Sequence, residues 1–212
     1  MAADSSLPPL SLIISSTPES TLYLSNALAL LFEPSTLLFS DLIPELEATL
    51  RKPTSAITTY TALIDKTLEI IRAWPDELKA KFVGAHPRIG EVKGLSAFSA
   101  KEQGQANGNA GSSVAATSPM VLERLAHLNA CYERRYPGLR YITFVNGRSR
   151  AVIAEEMEGV LGIPHSLSLD QPPAEALGVV EVGSAEWRSE LNRAVEDVGR
   201  IAKSRLSALG MQ

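Results

Sequence analysis

The stretch from residue 57 to residue 84, ITTYTALIDKTLEIIRAWPDELKAKFVG, decides the fold class of this chain. Its apolar residues recur at roughly helical spacing, and they are Ile57, Leu63, Ile64, Leu68, Ile71 and Trp74. Thr54 precedes the pattern as a candidate N-cap. Pro75, followed by two acidic residues, is typical of the start of a second helix, which ends near Gly84. The stretch therefore predicts two consecutive helices.

Helical signals continue on both sides of this stretch. Thr17 and Pro18 predict the start of an earlier helix, and Ser118, Ser149 and Ser184 each predict the start of a later one. The β-branched and aromatic residues 141–145 could be extended, but they are too isolated to imply a sheet. The prediction is an all-α fold with a single domain over residues 1–212. We expect a helical bundle of about seven to nine helices, with at most a short extended segment at residues 141–145 and a proline-rich surface loop at residues 163–183.

The composition excludes several classes of function. The chain has 212 residues, of which 45% are hydrophobic, and its formal net charge is -4. Because no basic run is interleaved with aromatic residues, we expect no nucleic-acid partner. Cys131 is the sole cysteine, which excludes an internal disulfide and a cysteine metal cluster.

Signals of targeting are also missing from the printed sequence. No stretch approaches the roughly 18 uninterrupted apolar residues of a membrane span. The acidic start at residues 1–4 lacks the basic region of a signal peptide, and the end at residues 209–212 is not a Ser-Lys-Leu address. We expect an intracellular protein with no membrane association.

The segment around His86 is the first candidate for chemistry. Pro87 fixes its own φ and biases His86 away from helical geometry, so the imidazole is expected at a rigid exit from the preceding helix. A fixed imidazole suits general acid/base work. The structural alternative is that the ring only satisfies a helix end or caps a turn, which is the commoner role of a histidine before proline.

Glu102 is the second candidate, and it too has a structural alternative. Ser99 and Glu102 match the capping box, in which the glutamate bonds back to the amide of the capping serine. The sequence leaves the capping role and a role in chemistry open.

Arg205 is the third candidate, because of its place on the last helix. At about 100° per residue it falls inside an apolar stripe, which consists of Leu191, Val195, Val198, Ala202 and Leu209. A guanidinium on a buried face needs an acidic partner or an anionic ligand. A structural ion pair and an anion-binding role are both consistent with this pattern.

No metal or nucleotide site is expected. His127 and His165 make no metal-ligand spacing with His86. The glycine-rich residues 104–111 lack the Lys-Ser/Thr end of a phosphate loop and a preceding strand.

Four ordered motifs together give the chain a family resemblance. They are Ala85-His86-Pro87, Ser99-x-x-Glu102-Gln103-x-x-Ala106, Leu128-Asn129-x-x-Tyr132-x-x-x-Tyr136 and Ile201-Ala202-x-x-Arg205-Leu206. In this order they resemble the 2-oxo-4-hydroxy-4-carboxy-5-ureidoimidazoline (OHCU) decarboxylase family, cofactor-free enzymes of urate breakdown that give (S)-allantoin. The likeness spans nearly the whole chain.

The resemblance implies an all-α enzyme that takes a small-molecule substrate and is often dimeric, in the cytoplasm or in peroxisomes. By motif, the histidine, glutamate and arginine around the substrate are His86, Glu102 and Arg205. The expected substrate-binding residues are Pro87, Gln103, Phe144, Val145, Asn146 and Gly147. Two alternatives remain: a helical binding module without catalysis, and a related cofactor-free lyase for another ureido or carboxylated ring.

The chain departs from the family pattern at two places. Arg88 and Ile89 follow His86 and Pro87 where aspartate and leucine are usual, and Ala106-Asn107-Gly108 stands for the usual Ala-Gly-Leu. The first change adds a positive charge beside the candidate site.

Overall fold

The structure, a computed structural model, describes residues 6–15, 17–52, 57–91, 117–165 and 168–210. These residues form eight α-helices and no β-strand, which confirms the all-α prediction. The helices are α1 Leu10–Ile14, α2 Ser20–Leu31, α3 Ile43–Leu50, α4 Tyr60–Ala73, α5 Asp76–Val83, α6 Pro119–Arg135, α7 Arg150–Leu161 and α8 Ala185–Ala208. A π-helical turn at Leu38–Leu42 precedes α3, and a short 3₁₀ helix lies at Ala174–Ala176.

The N-cap of α4 differs from the prediction. Thr59 caps this helix, because its backbone is extended and its hydroxyl accepts a 3.1 Å hydrogen bond from the amide of Ala62. The predicted cap, Thr54, lies outside the described residues. Thr54 precedes Ile57, the first apolar residue of the pattern, and Thr59 follows it. Both lie close to the start of the pattern, so the pattern alone could not choose between them.

The chain divides into two compact units. The first comprises Met1–Ala85 and Asn192–Gln212, and the second is His86–Leu191. Helix α8 therefore begins in the second unit and ends in the first. The expectation of a single domain stays a prediction.

The core of the first unit is built from the apolar faces of its helices. Its buried residues include Leu24, Leu28, Leu31, Phe32, Leu42, Leu46, Leu63, Ile64, Ile71, Phe82, Val198 and Ala202. Trp74 meets Phe82 edge to face at 5.7 Å between ring centroids, and its indole nitrogen donates to Glu45 at 3.1 Å. Tyr60 donates to the carbonyl of Pro8, and burial raises the pKa of Tyr60 to about 12.

The core of the second unit is richer in aromatic residues. Tyr132 on α6 stacks edge to face on Tyr141 at 5.3 Å between centroids, and its hydroxyl donates to Glu190 at 2.6 Å. Trp187 donates from its indole nitrogen to the carbonyl of Pro137 at 3.0 Å. These polar contacts satisfy the hydrogen-bonding groups that the buried aromatic side chains carry.

The described part of the proline-rich residues 163–183 is hydrogen-bonded to α6. The Nη1 of Arg124 donates to the carbonyl of Gln171 at 2.5 Å, and the Nε2 of His127 donates to the carbonyl of Pro172 at 2.8 Å. Side chains of α6 thus hold the described part of this segment, and the predicted surface loop stays a prediction.

A buried ion pair between α6 and α7 also contacts the start of this segment. Arg124 and Glu158 are both buried, with 2.8 Å between Nε and Oε1, and the Nδ1 of His165 lies 2.6 Å from the other carboxylate oxygen. Burial opposes the ionisation of Glu158, but the hydrogen bonds from His165 and Arg124 prevail and lower its pKa. Glu158 therefore joins α6, α7 and the start of the loop.

Candidate active site

His86 lies three residues beyond the end of α5, and it begins the second unit. The residue is 4% exposed. Its carbonyl oxygen accepts a 2.5 Å hydrogen bond from the Nη1 of Arg140, and Pro87 restricts the backbone on its other side. The backbone of His86 is thus restricted on both sides, by a guanidinium and by a proline ring, and the rigid placement of the imidazole stays a prediction.

All three guanidinium nitrogens of Arg88 donate hydrogen bonds to carboxylates. Its Nε and Nη2 donate to the two oxygens of Glu133 at 2.6 and 3.0 Å, and its Nη1 donates to Glu91 at 3.2 Å. The hydrogen bond to Glu133 is the main cause that raises the pKa of Arg88. The positive charge that the sequence adds beside His86 is therefore paired on the protein itself.

Residues 89 and 90, which follow Arg88 in the turn that begins with His86, pack against α6. Asn129 donates from Nδ2 to the carbonyl of Ile89 at 2.9 Å and to that of Leu125 at 2.7 Å. Gly90 has a φ of +92°, and a Cβ added to it would lie 3.1 Å from the Cβ of Leu125. A glycine is required here because the backbone is left-handed and passes close to the helix.

A cavity of about 320 Å³ opens beside this turn. Its charged lining residues are Arg88, Glu91 and Glu133, and its apolar lining includes Leu122 and Ala126 of α6. Among these described lining residues, one positive and two negative side chains give a formal charge of -1.

The predicted substrate-binding residues 144–147 form a tight turn. The backbone of Asn146 and of Gly147 is left-handed, with φ of 48° and 74°, and the amide of Arg148 donates to the carbonyl of Val145 at 3.0 Å. Asn-Gly is the dipeptide that tolerates two successive left-handed residues best. The residues before the turn, 139–145, form neither helix nor strand.

The side chain of Arg148 holds this turn by hydrogen bonds to its carbonyl oxygens. Its Nε donates to the carbonyl of Val145 at 3.0 Å and its Nη2 to the carbonyl of Phe144. Glu156 on α7 pairs with the same guanidinium and accepts a 2.6 Å hydrogen bond from Tyr141. Two carbonyls of the turn are thereby fixed by a side-chain network of α7 and the preceding segment.

Arg205 lies in the first unit, on the buried face of α8 as predicted. The residue is 2% exposed, whereas Arg200 and Lys203 point to solvent. Its Nη2 lies 2.6 Å from the Oε1 of Glu33, whose side chain is 7% exposed. The buried guanidinium has the acidic partner that its burial requires.

The predicted site residues fall into three groups. His86, Pro87, Phe144, Val145, Asn146 and Gly147 belong to the second unit, and Arg205 belongs to the first. Glu102 and Gln103 lie outside the described residues. Within the second unit, Arg140 links the His86 turn to the segment that carries residues 144–147.

Sequence reasoning missed four residues that hold these groups in place. Glu33 is 172 positions from Arg205, and Arg140 is 54 positions from His86, so no local pattern connects them. Arg148 and Glu156 are eight positions apart. An arginine directly after an Asn-Gly turn was the available signal for this last pair.

The described residues show neither a candidate metal site nor a candidate membrane span. No group of three or more His, Cys, Asp and Glu side chains there could hold a metal ion. None of the described helices has the length and apolar character needed to cross a membrane.

Comparison with known protein families gives a match. The sequence profile of a family described as OHCU decarboxylase matches residues 22–163, about two thirds of the chain. The match includes His86 and Glu102, while Arg205 lies beyond its end. A search of curated proteins finds no match.

Proposed function

The chain belongs to the OHCU decarboxylase family, and from this premise we propose that it decarboxylates OHCU to (S)-allantoin in urate degradation. His86, Glu102 and Arg205 are the proposed catalytic residues. The observation that carries the proposal is the placement of His86: within the matched region, this side chain is buried and its backbone is held by Arg140 and Pro87.

The chemistry of the reaction explains why a fixed, buried imidazole is useful. Loss of carbon dioxide leaves an electron pair on carbon, and a proton must then reach one face of that carbon if one enantiomer is to form. An imidazole titrates near neutrality, and a positioned general acid or base typically contributes about 10²- to 10⁴-fold to the rate. We assign that proton transfer to His86.

Arg205 is proposed to recognise an anionic or carbonyl oxygen of the substrate. A guanidinium is planar, carries five N–H donors and keeps its charge at any working pH. The contact with Glu33 orients this guanidinium in the first unit. Arg205→Lys should weaken substrate binding because a lysine cannot make the two parallel hydrogen bonds of the fork.

Glu102 is proposed to hold the ureido or ring N–H groups of the substrate, or to orient His86. Pro87, Gln103 and the backbone at residues 144–147 would complete the binding surface with neutral contacts. The network of Arg148 and Glu156 supports the last assignment, since Arg148 fixes the carbonyls of Val145 and Phe144 in this turn and Glu156 pairs with Arg148. A cofactor-free reaction, a homodimer and a cytoplasmic or peroxisomal location stay predictions.

The deciding experiment generates OHCU in place from urate, with uricase and the hydrolase that follows it. Circular dichroism then records the appearance of optically active allantoin with and without this protein. We expect the protein to accelerate the appearance of (S)-allantoin. No acceleration would overturn the proposal, and it would favour the binding-module alternative.

His86→Asn tests the catalytic assignment itself. The variant should lose about 10²-fold or more of the acceleration while its helix content and melting temperature stay close to those of the wild type. His165→Asn is the matched control, because its ring lies on the surface in the proline-rich loop. Full turnover by His86→Asn would show that His86 is structural.

Glu102→Gln separates the two roles left open for Glu102. Glutamine can still close a capping box, so a capping role alone predicts unchanged activity. We expect activity to fall while the free energy of unfolding stays the same. Unchanged activity together with unchanged stability would assign Glu102 to the cap.

A further inference from the structure

Arg88 departs from the family pattern, and we propose that it is a positioning residue for His86, acting through Glu133 rather than touching the substrate. The inference rests on the proposed function, because it assumes that His86 carries the proton transfer. It concerns a residue to which the proposed function gives no role.

The first observation is how completely Glu133 and Glu91 engage the guanidinium. Nε and Nη2 form a two-pronged contact with Glu133, and Nη1 takes one oxygen of Glu91. The other oxygen of Glu91 accepts a 3.0 Å hydrogen bond from the backbone amide of Arg88. Glu91 therefore holds both the side chain and the backbone of Arg88.

The second observation is the route from this ion pair to His86. Glu133 belongs to α6, whereas Arg88 and Glu91 belong to the turn that begins with His86. A single residue, Pro87, separates Arg88 from His86, and its ring allows little rotation about φ. A displacement of Arg88 from α6 must therefore move the backbone of His86.

Charge and geometry argue against the alternative that Arg88 binds substrate. Among the described residues, Arg88 is already paired with two carboxylates, so an anionic substrate would have to displace one of them. A two-pronged contact with a carboxylate is also the geometry that arginine would use for the substrate carboxylate, and here Glu133 already takes it.

The kinetic test compares Arg88→Met and Glu133→Gln with Arg72→Met. Arg72 is a matched control because it makes the same two-pronged contact, at 2.7 and 2.8 Å with Glu196, on the surface of the first unit. A misplacement of about 1 Å can cost up to 10²-fold in rate. We expect kcat to fall between about tenfold and 10²-fold in the first two variants, with KM within about twofold of the wild type.

The control should keep both constants. A rise of KM in Arg88→Met with unchanged kcat would overturn the proposal, since it would mark Arg88 as a substrate contact. Unchanged kinetics in both variants would overturn it as well. Should Arg88→Met not fold, Glu133→Gln decides, because it weakens the same ion pair and keeps the arginine.

A double variant that exchanges the charges of positions 88 and 133 tests whether restoring the ion pair restores kcat. In the double variant Arg88→Glu, Glu133→Arg, the new arginine on α6 can pair with the glutamates at positions 88 and 91. We expect it to recover at least half of the kcat that Glu133→Gln loses. A double variant no more active than the single variants would show that the ion pair does not position the turn.

Nuclear magnetic resonance of the imidazoles makes the test independent of turnover. The chain has three histidines, so the His86 signal is assigned by its loss in His86→Asn. We expect Arg88→Met to shift or broaden this signal and Arg72→Met to leave it in place. If the wild type fails to decarboxylate OHCU but the signal moves, the proposed function fails and the positioning role stands. An unmoved signal in an active enzyme overturns the positioning role alone.

Discussion

Arg205 in the first unit and Arg88 in the second make the same kind of contact in opposite surroundings. The side chain of Arg205 is 2% exposed and meets the buried Glu33, whereas that of Arg88 is 38% exposed and meets two carboxylates. A buried pair is costly to break, because the remaining charge has no water to replace its partner. An exposed pair contributes little to stability, because solvent screens it. The comparison predicts that Glu33 matters for the free energy of unfolding and that Glu133 matters for geometry.

Glu33→Gln is the strongest way to break this comparison. We expect it to lower the free energy of unfolding by about 3–5 kcal/mol, because the buried guanidinium of Arg205 loses its carboxylate. Urea denaturation measures this loss. Glu196→Gln, which breaks the exposed contact with Arg72, is the control and should cost less than about 1 kcal/mol. Equal costs for the two variants would contradict the argument from burial.

Glu158→Gln sharpens the comparison with a second buried pair, in the second unit. The expected cost near neutral pH is about 1.5–3 kcal/mol. This is less than for Glu33→Gln, because Arg124 keeps its hydrogen bond to the carbonyl of Gln171. Urea denaturation near neutral pH measures the cost.

The pH dependence of the same variant has a definite sign. The pKa of Glu158 lies below its ordinary 4.5 in the folded protein, so its ionised form stabilises the fold above that pH. The contribution is lost as the pH falls below 4.5 through the lower folded value. The difference between wild type and Glu158→Gln in free energy of unfolding should therefore shrink in acid. A constant difference down to about pH 3 would show that Glu158 gains nothing from ionisation.

Arg148→Met tests a half-exposed network that holds a predicted binding surface. We expect a loss of about 1 kcal/mol in stability, since hydrogen bonds to two carbonyls disappear. We also expect KM to rise about tenfold, because the turn at residues 144–147 loses its support. Steady-state kinetics measures the second effect, with the exposed Arg134→Met as the control. An unchanged KM would remove residues 144–147 from the proposed binding surface.

Arg88→Met should have the smallest effect on stability. Its ion pairs are more than a third exposed, so the expected cost is below about 1 kcal/mol, and added salt should reduce it further. The urea midpoint of the variant, measured in low and high salt, checks this. A cost above about 2 kcal/mol would mean that the turn folds only with this ion pair, which would blur the contrast with Arg205.

The fold was predictable to the extent that it rests on local patterns. Apolar spacing and capping residues predicted the helices around residues 57–84, and a projection at 100° per residue predicted that Arg205 lies on a buried face. The cap of α4 was misplaced, because Thr54 and Thr59 present the same chemistry to a sequence pattern. Only the backbone conformation at Thr59 distinguishes them.

The residues of the candidate site stay predictions, and the sequence indicated their supports much less well. His86 was singled out by the proline that follows it, which restricts backbone angles wherever it occurs, whereas residues 144–147 were named only by the family resemblance. Arg140 and Glu156 were missed because a surface arginine or glutamate on a helical chain carries no signal of its partner. Their importance lies in contacts with residues far along the chain.

By itself the sequence determined the all-α class, the end of α5 ahead of Pro87 and the buried position of Arg205. Each of these follows from the conformational preferences of residues that are neighbours in the chain. Only the tertiary structure decided the partners of the charges: Glu33 for Arg205, and Glu133 with Glu91 for Arg88. The physical reason is that an ion pair depends on distance and burial in space, and residues of opposite charge are too numerous in the sequence for their spacing to choose among them.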